Sequence, residues 1–495
     1  MKQVIQAIFL FIISSLSCTQ IQKVSGQQSE QFAKEIKELQ QYFHIPGMAA
    51  MVIEEGEIIY EDYLGFADVE AKIPMDAETA VPMASLTKIF AASLVHQLAD
   101  EGKLSLDDPI NEYLDENPFS EDISIAHVLS HTSQGEVGEN FYYSYRFGAL
   151  TAVIQKASTK AYAEVFQERI LDHLEMENSI PHLSEKYVEE KKLRVAKPYA
   201  WEGEIKEGRI EYGFSSSAGL LSTLQDMAKF DKALDQNSLI SASAKSQLFQ
   251  PLAPHLPYAK GIFKSKMLEE EEMYWGYGQY DHYSSLYIKL PQRKLSLLLA
   301  ANNNLMSDPA RLIYGELSYS LFAQSFLKNF VLGETQMNLL ESPGAIQAAY
   351  TEELDDFYRD KLLAQAIAES FLARYEIERF QKSVDILKYV FENYPDLESY
   401  ADLTLLHNLS FLKTLDFHME LGGFNKFDQQ IEEIGEMLLS KDKNNPYANV
   451  YMGAYFNRKG DMDRARKYYR AIVDTKNFSP FWYTNEAKSW LQSNP

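Results

Sequence analysis

Ala84-Ser85-Leu86-Thr87-Lys88-Ile89-Phe90 sets a serine and a lysine three residues apart at the head of a segment, Ile89 to Asp100, that reads as a helix. A serine hydroxyl is a weak nucleophile at neutral pH and needs a base within hydrogen-bond reach. Residues three apart on a helix share one face, about one turn apart. The helix N-terminus also favours negative charge developing on the serine oxygen. Ser85 is therefore the candidate nucleophile and Lys88 its base or proton relay. An isolated S-x-x-K recurs by chance, so the surrounding sequence decides its meaning.

Working outward, Met48 to Ile53, the turn Glu54-Glu55-Gly56 and Glu57 to Tyr60 read as a hairpin. A second hairpin is expected from Ser284 to Leu290, across Pro291 to Lys294, to Leu295 to Ala300. The segments between are mainly helical in pattern, as in Ile89 to Asp100 and Ala149 to Lys156. Strands at both ends with helices between them predict an α+β domain, its antiparallel sheet completed by segments distant in sequence.

Further landmarks follow in a fixed order. Pro46-Gly47, Gly65 to Asp68, Pro74 and Ala77 to Thr79 precede Ser85; Leu104 to Pro109, Val128-Leu-Ser-His-Thr-Ser133 and Tyr142 to Tyr145 come after it. Tyr212 to Thr223 and Ser284 to Asn302 close the series. In this order and spacing the chain resembles the class C β-lactamase and D,D-peptidase-like family of penicillin-recognising serine hydrolases, over about residues 35 to 305. The resemblance implies a β-lactamase-like antiparallel sheet flanked by helices, with a helical subdomain and no cofactor.

It also implies three active-site motifs. Ser85 and Lys88 match the first, whose acylation base is disputed in related enzymes. Tyr143-Ser144-Tyr145 stands at the Y-x-N motif: Tyr143 matches the proton-relaying phenol, whereas Tyr145 replaces the substrate-reading asparagine. Trp275-Gly276-Tyr277-Gly278-Gln279 stands at the K-T-G or H-x-G motif, with Gly276 where a cationic side chain would meet a substrate carboxylate. Backbone amides of Ser85 and Gln279 are the expected oxyanion donors. Tyr145, Trp275, Gly276, Tyr277 and Gly278 are the expected substrate-binding residues.

The two ends of the chain differ from its middle. Residues 1 to 18 carry a lysine, a short apolar run and Ser15-Leu-Ser-Cys18, and resemble a bacterial lipoprotein signal with Cys18 lipidated. Residues 19 to 30 are polar and read as a tether. The hydrolase domain is expected over 31 to 332, beginning its last part with a helical stretch from Ala310 to Val331, and a linker over 333 to 360. From 361 to 495 the pattern is helical and aromatic-rich. Pro446 and Pro480 are 34 residues apart, the tetratricopeptide period. Tyr451, Gly453 and Tyr455 would lie on one helix, Gly460-Asp461 in the turn, and Ala465 and Tyr469 on the next. A C-terminal all-α domain similar to tetratricopeptide repeats is expected, able to hold a protein partner.

The formal charge of -24, from 71 acidic and 47 basic residues, disfavours nucleic acid as a partner. The lone cysteine excludes an intrachain disulfide. His127 and His131 lie four apart but lack the glutamate and third ligand of a zinc motif, and read as capping or packing histidines; no metal is expected. These observations predict an exported bacterial lipoprotein, periplasm-facing or in the outer membrane, that cleaves a small-molecule or peptide ester or amide. The alternative is a pseudoenzyme whose cleft and repeats bind a ligand or protein, because both substrate-reading positions are altered.

Overall fold

The computed structural model describes residues 26–267, 271–341, 352–421 and 427–494. The expected signal segment and Cys18 lie outside the described residues. Two helices begin inside spans read as connections: α1 (Gly26–Tyr42) starts within the expected tether, and Glu352–Leu372 within the expected linker.

Among the described residues twelve strands form three sheets. The central one is seven-stranded, ordered β3-β2-β1-β12-β11-β10-β9. Its members are β1 (Gly47–Glu54), β2 (Glu57–Asp68), β3 (Ile73–Pro74), β9 (Phe263–Met267), β10 (Glu271–Tyr280), β11 (Tyr283–Leu290) and β12 (Leu295–Ala301). β4 (Val81–Pro82), β8 (Leu220–Ser222) and β5 (Ile180–Pro181) form a small sheet in the order β4-β8-β5, and β6 (Tyr199–Trp201) pairs with β7 (Ile205–Glu207). Both expected hairpins are present. The first turns at Glu55 and Gly56, whose φ values of 53° and 83° suit a tight two-residue hairpin. The hairpins join through β1 and β12, antiparallel from Met48 opposite Ala301 to Glu54 opposite Leu295. Distant segments therefore complete one antiparallel sheet, as the pattern predicted.

Side chains on a strand alternate between faces, and here the alternation separates two cores. Met48, Ala50 and Val52 of β1 and Leu295, Leu297 and Leu299 of β12 pack with α1 and with Leu321–Leu332. Ala49, Met51 and Ile53, with Leu298 and Ala300, pack instead with α2 (Thr87–Asp100) and α3 (Leu224–Gln236). α2 is apolar nearly all round, the mark of a helix buried on every side; eleven of its fourteen residues are buried. The covered faces explain why β11 and β12 are buried at every position.

The helical stretch expected from Ala310 is shorter than its composition suggested. Arg311 and Gly315 take left-handed conformations (φ 45° and 93°) around a single 3-10 turn, Leu312–Tyr314, and α-helix begins only at Leu321. Seven helices follow among the described residues: α4 (Glu352–Leu372), α5 (Arg379–Asn393), α6 (Asp402–Leu421), α7 (Asp428–Lys441), α8 (Pro446–Arg458), α9 (Met462–Val473) and α10 (Trp482–Ser493). Pro446 stands at the start of α8, where a missing N–H costs nothing. Asp461 caps α9 at the Arg464 N–H, and Gly453 admits the Tyr469 ring. The apolar cluster on the outer face of the sheet runs without a break into these helices, through Tyr314, Tyr319, Tyr358, Leu405 and Tyr447. No helix of the described residues is long and apolar enough to cross a membrane.

Under the inner face, Lys289 of β11 is buried between Asp231 and Asp235 of α3, 2.8 Å from each. Tyr287 and Ser296 also donate to Asp231. Asp231→Ala leaves Lys289 with Asp235 alone and removes the acceptor of Tyr287 and Ser296. It is expected to lower the unfolding free energy by about 1–3 kcal/mol, measured by urea denaturation against the unaltered chain.

Candidate active site

Ser85 sits in a 3-10 turn, Ala84–Leu86, that feeds directly into α2. Ala84 just before it holds φ 46°, a left-handed conformation that a residue with a Cβ adopts only under constraint. The constraint comes from both sides. Thr87 Oγ1 donates to the Ala84 carbonyl at 2.7 Å, and Ser285 Oγ donates to the Met83 carbonyl at 2.9 Å. β10 nests against the same turn. A Cβ on Gly278 would lie 2.0 Å from the Met83 carbonyl oxygen, so only glycine lets the strand approach. β9 pairs with β10 only between Glu271 and Trp275. Gly276 to Gln279 thus has no strand neighbour on that edge and runs beside the Ser85 turn.

Two groups converge on the serine. Lys88 Nζ and Tyr143 Oη each lie 2.9 Å from Ser85 Oγ and donate to it. Lys88 Nζ also donates to the Ser217 carbonyl at 2.9 Å and stands 5.0 Å from the centre of the Tyr143 ring. The lysine is 4% exposed, and burial pushes its ammonium down to about 7. Among the described residues no carboxylate pairs with it. A lysine in that range is substantially a neutral amine at physiological pH and can accept the Ser85 proton. Burial drives the Tyr143 phenol up, so it stays a proton donor.

His131 supports this arrangement from behind. Its ring stacks on Tyr143 with centroids 4.3 Å apart, and its Nδ1 accepts from the Ser144 N–H at 3.3 Å. Burial, and then the neighbouring Lys88, hold it well below the ordinary imidazole range, so it is neutral. His127 Nδ1 accepts from the Ser124 N–H at the start of helix Ile125–Leu129. One histidine packs and the other caps, as the sequence suggested. Among the described residues no group of three or more metal-ligating side chains comes together.

The expected substrate-binding residues separate. Tyr277 lines a small cavity with Ser85, Lys88, Tyr143, Tyr258 and Phe263; at about 10 Å³ it holds no more than a water molecule. Gly276 borders the same cavity, and a Cβ there would lie 2.9 Å from Leu86 Cδ2. Trp275 does not line the cleft as expected. It has no exposed surface, stacks on Phe263 at 4.1 Å and donates from Nε1 to Ser265 Oγ. It shares a strand face with Tyr277, but Phe263 and Ser265 of β9 cover it, whereas Tyr277 lies past the end of the β9 pairing. Tyr145 is 74% exposed and meets Phe481 of the C-terminal helices edge-on at 4.9 Å. Ser217, Tyr258 and Phe263 were missed: Ser217 lies within the quoted Tyr212 to Thr223 landmark, but its contact with Lys88 spans 129 residues and leaves no local signal.

A serine at a strained helix entrance, with a desolvated lysine and a phenol on its oxygen beside an open sheet edge, defines the serine hydrolase class built on the penicillin-recognising fold. The family described as Beta-lactamase matches residues 32–315, more than half of the sequence, and the chain belongs to that family. Protein flp of Staphylococcus aureus (strain MW2) is 23% identical over 309 residues, covering 53% of this chain and 60% of that protein. The chain thus spans about three fifths of that curated relative's length. Among solved structures, the octameric penicillin-binding protein homologue from Pyrococcus abyssi aligns with a TM-score of 0.56 and 22% identity, covering 68% of this chain and 81% of that one. EstCE1, a hydrolase with promiscuous acyltransferase activity, aligns at 0.51 with 16% identity, covering 61% and 98%. These likenesses show a shared fold.

Two outcomes are expected. Labelling of Ser85 by a fluorophosphonate should rise with pH up to about 7 and level off above it, because only neutral Lys88 accepts the proton; a stopped-time labelling series across pH measures this. Gly278→Ala should abolish labelling, since the added methyl forces β10 away from the Ser85 turn.

Proposed function

We propose that the protein hydrolyses an ester or amide through an acyl-enzyme on Ser85. The observation that carries this reading is the convergence of Lys88 and Tyr143 on Ser85 Oγ, each at 2.9 Å, with the lysine held near neutrality. As Oγ bonds to the substrate carbonyl carbon, its proton passes to Lys88 and the carbonyl electron pair moves onto oxygen. The backbone amides of Ser85 and Gln279 receive that oxyanion, a contribution of about 3–4 kcal/mol per donor in comparable sites. The carbonyl re-forms, the bond to the leaving group breaks, and Tyr143 supplies the leaving group's proton, recovering one from Lys88. Water then adds to the acyl-enzyme by the reverse proton path, releasing the acid and restoring Ser85.

Substrate selection follows from what the site lacks. Gly276 offers no cation to a carboxylate, and Tyr145, exposed and packed on Phe481, offers no amide to a side-chain carbonyl. Both changes favour an uncharged ester or amide over a penicillin or a D-Ala-D-Ala terminus. The same two positions support the competing reading, a cleft retained for binding alone. Against it stands the cost of desolvating Lys88, which a binding cleft has no reason to bear. The lipoprotein-like pattern of residues 1 to 18 supports a place in the cell envelope with Cys18 as anchor, and the tetratricopeptide spacing of Pro446 and Pro480 supports a protein partner.

Residues 19 to 495, exposed to a fluorophosphonate and separately to a fluorescent penicillin, should form an adduct visible by intact mass that Ser85→Ala lacks. The fluorophosphonate should label faster. A folded protein that takes neither probe would decide for the binding module.

A further inference from the structure

Tyr143 lies in an irregular stretch, Glu139 to Ser144, that belongs to no helix or strand. Its position relative to Ser85 is therefore set by side-chain partners. On the hydrolase side these include His131, stacked on the ring, the His131 carbonyl, which accepts from the Tyr142 N–H at 3.0 Å, His255 at the Glu139 carbonyl, and Tyr258 and Phe263 against Phe141. A second set of partners comes from the far end of the chain.

They grip the loop on both sides of Tyr143. Before it, the Tyr142 hydroxyl donates to Asp442, and the Tyr142 ring meets Phe478 edge-on at 5.4 Å. After it, Tyr145 packs on Phe481, and Arg146 donates to the Asn477 carbonyl at 2.5 Å. Beneath it, Gln134 acts as a bolt. This side chain is fully buried; its Oε1 accepts from the Ser479 N–H at 2.9 Å and the Ser479 hydroxyl at 2.8 Å. Its Nε2 faces the Tyr142 carbonyl at 3.4 Å and the Tyr483 hydroxyl at 3.3 Å. Asn477 holds φ 67°, a constrained conformation in the segment that supplies these contacts. The boundary is also bonded elsewhere, through Ala310 to Tyr319, but at this end its buried, directional bonds fall on the loop that carries the proton relay.

We propose that Asn477 to Tyr483, together with Asp442, is a positioning element of the active site, holding Tyr143 at bonding distance from Ser85, so that catalysis depends on the docked C-terminal helices. This inference rests on the hydrolase reading above. Gln134 and Tyr142 are positioning residues: neither touches Ser85, and both act through Tyr143. Small displacements of a proton-transferring group carry large rate penalties, so the clamp need shift by only a fraction of an ångström to matter.

The test uses the full chain and follows Ser85 labelling by a fluorophosphonate, with thermal unfolding as the check on folding. Gln134→Leu and Tyr142→Phe are expected to remain folded and to label about 10- to 100-fold more slowly. Ser479→Ala, which removes one hydroxyl from the bolt, replaces Gln134→Leu if that variant fails to fold. Tyr319→Phe is the control: it removes a bond to Asn408 on α6, loosening the same docking away from the loop, and should label like the unaltered chain. In a Tyr143→Phe background, Gln134→Leu should add no further loss, because it acts through the missing phenol. Unchanged labelling in both loop variants, equal slowing in the Tyr319→Phe control, or additive losses in the Tyr143→Phe background would each overturn the proposal. If the unaltered chain takes no label, the hydrolase reading fails by itself. Amide exchange over residues 140 to 147 then tests the clamp, which stands if the loop variants lose protection and falls if they do not.

Discussion

The burial of Lys88 is the constraint on which the site depends. An ammonium removed from water without a carboxylate partner is unfavourable, and the protein answers by holding the group near neutrality rather than pairing it. Everything around it serves that state. α2 is apolar all round, Phe147 and Tyr143 cover the amine, and the Ser217 carbonyl accepts one of its hydrogens. An acidic side chain in the same place would restore the charge and remove the base. The aromatic lining keeps the dielectric low around the amine that stands on Ser85.

The sheet transmits this arrangement. Its inner face carries α2, and with it Ser85 and Lys88; its outer face carries α1 and merges with the C-terminal helices. β10 lies at the junction. Its glycine at 278 allows contact with the nucleophile turn, its neighbour Trp275 is committed to the core, and its free edge is left beside the serine. The Lys289–Asp231 pair ties α3 to the middle of the sheet and shows the opposite treatment of a buried lysine. There the charge is kept and matched, because the role is to fix packing and no proton need leave.

The C-terminal helices do not form a separate body hung on a linker. Tyr314 and Tyr319 on the hydrolase side meet Tyr451, His407 and Asn408 across the boundary, and the loop around Tyr143 is bonded to Asn477, Ser479 and Asp442. A continuous apolar cluster with buried hydrogen bonds at its rim joins the two parts. Composition could not reveal this, since an amphipathic helix shows which face is buried but not what covers it.

The local signals in the sequence were decisive for the parts governed by local physics. Serine and lysine three apart at a helix start set Ser85 and Lys88 within bonding distance, and alternating apolar residues bounded by Glu55-Gly56 and Pro291 to Lys294 set both hairpins. The same logic misled at Trp275, where the motif's neighbourhood suggested a cleft residue, and β9 covers the ring while Tyr277, two residues on and on the same face, lies past the end of β9. It also overextended the helix before Leu321, where left-handed Arg311 and Gly315 interrupt the run. Tertiary structure alone decided the protonation of Lys88, the placing of Tyr143 on Ser85 across 58 residues, and the seating of the C-terminal helices on the Tyr143 loop across more than 300. Sequence neighbours set conformation and facing. Burial, and the electrostatics that follow from it, are sums over side chains the chain brings together only when folded.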